Sequence, residues 1–129
     1  MNAEEAGKTV EISFKITLDP QNTPESIRWE TNGPDSQGMQ KCKSLMISIW
    51  DPQRKNTVRF DLWTKELMHN EMSMLIFQSL LMMADTYSRA TGNDKLADEL
   101  RNFAEDFGIK AKVIQREEND EITPFTLEL

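Results

Sequence analysis

From Val10 onward the chain alternates strictly, with Val10, Ile12, Phe14, Ile16 and Leu18 set against Glu11, Ser13, Lys15 and Thr17. A period of two puts the apolar set on one face, so residues near 9–18 predict a half-buried strand. Asp19-Pro20 ends it. Ile27 and Trp29 share a face of a shorter strand near 26–30, and the glycine- and proline-bearing run from Thr31 to Gly38 predicts a loop. Two further alternating runs, near 44–50 and 57–63, flank a turn at Asp51–Asn56. Pairing Trp50 with Thr57 sets Ile49 opposite Val58, Ile47 opposite Phe60 and Leu45 opposite Leu62, all on one face. A slip of one residue would mix the faces, so this antiparallel register is expected.

The period then changes. Met72 to Ala84 is an uncharged run bracketed by Glu71 and Asp85, with no glycine or proline and little that is β-branched. Such residues favour a helix. At about 20 Å the run is too short to cross a bilayer. A helix is expected near 67–91, with Thr64 or Asn70 as acceptable N-caps and Gly92 as its stop. Met72, Leu75, Ile76, Leu80, Met83 and Tyr87 form one apolar stripe; Met74, Phe77 and Leu81 form a second, turned away from the first. One small sheet is not expected to cover both, so the second stripe is assigned to a subunit contact, most simply with another copy of the chain. Asn93 caps a second helix near 94–107, in which Leu96, Leu100, Phe103, Ala104 and Phe107 recur at helical spacing. Gly108 is a candidate stop, and Ile109 to Ile114 could instead prolong the helix. Four strands followed by two helices predict an α+β fold, a four-stranded antiparallel sheet with two antiparallel helices packed on one face.

Charge changes the picture at the ends. The formal charge is −7, but five acidic residues and no base lie in residues 117–129, which leaves −2 for the rest. Residues 116–129 therefore read as an acidic flexible tail, residues 1–7 as a disordered lead, and 8–115 as a single domain. With no basic stripe, nucleic acid is not an expected partner. The N-terminus has no apolar segment of signal-peptide or anchor type, so no membrane insertion is expected. One cysteine, Cys42, precludes an internal disulfide and fits a reducing compartment.

Candidate chemistry is sparse. His69 and Cys42 are the only residues of their kinds and fall in different elements, which argues against a metal site or a Cys–His nucleophile. Gly33 and Gly38 lack the Lys-Ser/Thr of a phosphate loop. Asp85 with Arg89, four apart on a helix, and Arg59 with Asp61, on one strand face, read as structural ion pairs. No catalytic, cofactor-binding or metal residues are assigned, and the chain is not expected to be an enzyme. Apolar surface remains. The face opposite the aliphatic register carries Met46, Trp50 and Trp63, and large aromatics of this kind are common at protein interfaces.

Four segments carry a resemblance: Ser48-Ile49-Trp50-Asp51; Asn56-Thr57-Val58-Arg59-Phe60-Asp61-Leu62-Trp63-Thr64-Lys65; Asn70-Glu71-Met72; and Met83-Ala84-Asp85-Thr86-Tyr87-Ser88-Arg89-Ala90-Thr91-Gly92. With their spacing and the leading strand, the chain from about residue 8 to 108 resembles the gliding motility protein GldC family of Bacteroidota. The resemblance implies a small cytoplasmic accessory of gliding motility, linked to the machinery that moves adhesins and secretes proteins through the type IX system. It brings no catalytic residues. Element order alone is also similar to the export chaperone SecB, which forms dimers through strand and long-helix contacts and holds unfolded clients in apolar grooves.

The expected function is thus a non-enzymatic interaction module acting as a homo-oligomer. Its interface candidates are Met74, Phe77, Leu81, Met46, Trp50 and Trp63. Its partners would be itself and motility or secretion proteins. The alternative is a SecB-like holder of apolar segments of exported polypeptides, binding them through a groove near Trp50 and Trp63.

Overall fold

A computed structural model describes residues 7–125. The two helices and antiparallel pairing of an α+β fold are present, in the order β1 (Ile12–Leu18), β2 (Pro24–Thr31), β3 (Gln40–Cys42), β4 (Ser44–Asp51), β5 (Asn56–Trp63), α1 (His69–Thr91), α2 (Asp94–Lys110), β6 (Ile114–Arg116) and β7 (Ile122–Pro124). The chain divides into two compact units, Met1–Leu67 and Met68–Leu129.

The first unit corrects the expectation of one four-stranded sheet. Its strands form a three-stranded sheet, ordered β1-β2-β3, and a separate β4-β5 hairpin. The cause is a short strand inside the polar segment. Gln40–Cys42 pairs with Ile27–Trp29 and occupies the edge of β2. Only Lys43, a bend, then separates β3 from β4, so the chain leaves one sheet and enters the other. The β4–β5 register is the expected one throughout, from Ser44↔Trp63 to Asp51↔Asn56, with Leu45 opposite Leu62 and Ile49 opposite Val58. Among the described residues, Ile27 and Leu45 are the buried apolar side chains of this unit. Thr64 is buried rather than capping a helix; its N–H donates to the Lys43 carbonyl at 2.9 Å. The turn after β1 is closed by Asp19, whose Oδ1 accepts from the N–H groups of Gln21 and Thr23 at 2.9 and 3.0 Å.

In the second unit, α1 starts one residue before the Asn70 cap expected from sequence. Met68 is the N-cap, and its N–H donates to the Glu71 carboxylate at 3.0 Å. Gly92 ends α1 in the left-handed region, at φ +73°, and Asn93 Oδ1 accepts from the Leu96 N–H at 3.1 Å to open α2. Gly108 does not stop α2, which continues to Lys110. The inward face of α2 is made of small residues: Ala97, Ala104 and Gly108 are buried, whereas Leu96 and Phe103 are exposed. Phe77, Ala104, Val113 and Ile114 form the core of this unit, with Met74, Leu80, Leu81, Phe107 and Ile122 packed against it.

Residues 116–124, which charge content assigns to the start of a flexible tail, join Ile114 and Gln115 in the β6–β7 hairpin. The charges sit in its turn: the Glu117 N–H donates to the Glu121 carbonyl at 2.8 Å, and Asp120 takes a positive φ. The apolar residues of the segment turn inward instead. The expected lead over residues 1–7 lies outside the described residues but for Gly7, as does the tail from Thr126.

Candidate interaction surface

The β4–β5 hairpin presents two different faces. Because directly paired residues share a face, Ser44, Met46, Ser48 and Trp50 lie with Thr57, Arg59, Asp61 and Trp63. Trp50 and Trp63 are 62% and 54% exposed, and Met46 is half-buried. The tryptophans share the face but occupy opposite ends of it. Trp50 pairs near the turn, and Trp63 pairs with Ser44 at the far end. At about 3.4 Å per residue they stand roughly 20 Å apart.

Between them Arg59 is bound to Asp61, Nη2 to Oδ1 at 2.9 Å and Nε to Oδ2 at 3.2 Å. The ion pair read from sequence is therefore bidentate. Arg59 holds the Asp61 carboxyl below the usual carboxylate range through those hydrogen bonds. The surface is thus a ladder-shaped strip: an indole at each end, and a fixed, internally neutralised ion pair with a half-buried methionine between. Such a strip suits a flat protein contact.

The reverse face of the hairpin is also open at its turn end. Phe60 is 51% exposed, with Ile49 and Val58 exposed beside it. All of β1 is exposed as well, including its apolar set. Alternation identified these faces, but alternation carries no information on what covers a face. That part of the surface was not legible in the sequence.

The other three interface candidates are placed differently. Phe77 is only 7% exposed, within the core of the second unit, and Met74 and Leu81 pack against that core. The stripe assigned to a subunit contact is covered by this chain's own α2 and β6. The reason is the hairpin after α2, which charge content hid. On the first stripe, Met83 and Tyr87 remain exposed.

The polar candidates stay separate. Asp85 does not pair with Arg89; it accepts from Arg101 Nη2 of α2 at 2.8 Å, and Arg101 also binds Asp98. Arg89 Nη2 instead donates to Thr86 Oγ1 at 3.4 Å. His69 is the first residue of α1 and is exposed. Burial raises the Cys42 thiol above its ordinary value, which disfavours the nucleophilic thiolate. Among the described residues no three His, Cys, Asp or Glu side chains converge as a metal ion would require. The hollow beside Cys42, about 250 Å³, is lined by Glu25, Lys41, Lys43, Thr64 and Glu66. Among the described residues no helix is long and apolar enough to cross a membrane.

Comparison with known proteins places this architecture. Residues 24–113, from the start of β2 to just beyond α2, match the family model described as "Gliding motility-associated protein GldC-like". No curated protein and no solved structure matches the chain.

Proposed function

The chain belongs to the GldC-like family of gliding motility-associated proteins, and on that footing we propose that it is a non-enzymatic accessory working through protein–protein contact as a homo-oligomer. The observation that carries this reading is the exposed tryptophan strip of the β4–β5 hairpin. Indole side chains supply large contact area at small entropic cost, which is why they concentrate at the centres of protein interfaces. Here two of them bracket an ion pair already satisfied within the chain, so a partner can cover the strip without leaving a charge unpaired. The partners are motility or type IX secretion proteins of the same cells, and the site of action is the cytoplasm.

Affinity isolation of the tagged chain from its native cells, followed by mass spectrometry, tests the proposal. A few stoichiometric motility or secretion proteins, lost together in a Trp50→Ala/Trp63→Ala variant, are the expected result. A long, substoichiometric list of exported polypeptides would favour the holding of apolar segments in the manner of SecB. The exposed apolar faces beside Phe60 and along β1 are what that second reading would use. Retention of the same partners by the double variant would remove the tryptophan strip from the account.

A further inference from the structure

β1 is the outer strand of its sheet, and every residue of it is exposed. Its main-chain groups alternate between β2 and the open edge. The Asn32 N–H donates to the Glu11 carbonyl at 3.2 Å, and the Glu11 N–H donates to Asn32 Oδ1 at 2.8 Å, so Glu11 is turned toward β2. Ser13 and Lys15 follow the same phase. Ile12, Phe14 and Ile16 consequently direct their N–H and C=O groups to the open edge. A regular, uninterrupted edge of this kind is a template for another strand.

Charge then selects the strand. On the polar face Lys15 lies opposite Arg28, and Arg28 lies opposite Lys41, giving a row of three cations across β1, β2 and β3. Like charges directly opposite one another in a sheet are unfavourable. Neither Lys15 nor Glu11 has an ion-pair partner among the described residues. The row ends at Lys15, at the open edge, where an acidic residue on an added strand would offset it.

We infer that β1 pairs antiparallel with β1 of a second copy of this chain, centred on Ser13, so that Glu11 of each copy lies opposite Lys15 of the other. This register places Val10 opposite Ile16 and Ile12 opposite Phe14, each twice by symmetry, which keeps apolar on apolar. It also joins outward-facing main-chain groups to outward-facing ones. Centring on Lys15 instead sets Lys15 against Lys15 and Glu11 against Asp19, both repulsive. Centring on Phe14 leaves both charges opposite hydroxyl residues. An odd shift brings the polar face onto the apolar one. The proposal specifies one surface for the self-association put forward above and uses residues that the tryptophan strip does not contain.

Full-length Cys42→Ser protein carrying Ser13→Cys provides the test. Ser13 would face its copy as a non-hydrogen-bonded pair, with Cα atoms about 4.5 Å apart, inside the roughly 4.4–6.8 Å range a disulfide tolerates. Mild oxidation should give a covalent dimer at Ser13→Cys and none at Phe14→Cys or Lys15→Cys, which report the other two registers. In sedimentation, Glu11→Lys and Lys15→Glu should each weaken the dimer about tenfold, and the double variant should restore it. A dimer that ignores the charge swaps and cross-links nowhere along β1 overturns the strand pairing, yet leaves the proposed self-association standing through another surface. A chain that stays monomeric at high concentration overturns both.

Discussion

A β-carbon on Gly108 would stand 2.8 Å from Cδ1 of Phe77, closer than real Cβ contacts come. The same atom would meet Ile114 Cγ1 at 2.8 Å, so α2 approaches α1 and β6 at the one position without a side chain. Gly108→Ala should destabilise the second unit by about 1–3 kcal/mol through overpacking. Urea unfolding followed by circular dichroism would show this as a lower midpoint with an unchanged slope; an unaltered midpoint would mean that Phe77 and Ile114 give way freely.

Phe77 itself should behave as a core residue. Phe77→Ala is expected to cost about 3–5 kcal/mol, and Phe77→Asp to leave the protein unfolded rather than folded and monomeric. Size-exclusion chromatography with circular dichroism distinguishes the outcomes. A folded monomeric Phe77→Asp would return the stripe to a subunit interface.

Arg101 joins the helices by binding Asp85 of α1 and Asp98 of its own helix. Both aspartates are largely exposed, which limits the worth of each pair to about 1 kcal/mol or less. A double-mutant cycle with Asp85→Asn and Arg101→Gln should give a coupling of that size, falling as salt is raised. Coupling well above it would mean that the pair is shielded from water.

The β6–β7 turn should loosen in acid. Thr123 Oγ1 donates to Glu117 Oε1 at 2.6 Å and Gln115 Nε2 donates to it at 2.9 Å; these bonds hold the Glu117 carboxyl below its ordinary value of 4.5. A carboxyl depressed in the folded state stabilises it above that ordinary value and loses its contribution as pH falls through the depressed one. Amide exchange in residues 114–124 should therefore show weaker protection below about pH 4 than at pH 6, after correction for intrinsic rates. Glu117→Gln should flatten the difference; a turn equally protected in both variants at every pH would show that the carboxylate is not what holds it.

The register of β4 and β5, the stop at Gly92 and the cap at Asn93 follow from residues close together in the chain. Alternation over a strand, a two-residue helix junction and a cap side chain are local signals, and local signals survive without tertiary context. The family resemblance also sits in those segments, between Ser48 and Gly92. The tryptophan face belongs to the same category, because a register assigns faces as soon as it assigns pairs.

Everything that depended on distant pairing came from the tertiary structure. Gln40–Cys42 is too short and polar to announce a strand and exists by pairing with Ile27–Trp29, which is what splits the expected sheet. Gly108 looks the same in sequence whether it ends a helix or permits a close approach, and only the positions of Phe77 and Ile114 separate the two. The acidic segment forms the β6–β7 hairpin because its charges collect in a turn while Ile114 and Ile122 reach the core. Periodicity states which side of an element is apolar; whether that side meets its own chain, as at Phe77, or stays open, as at Phe60 and along β1, is decided by contacts between residues that the sequence holds far apart.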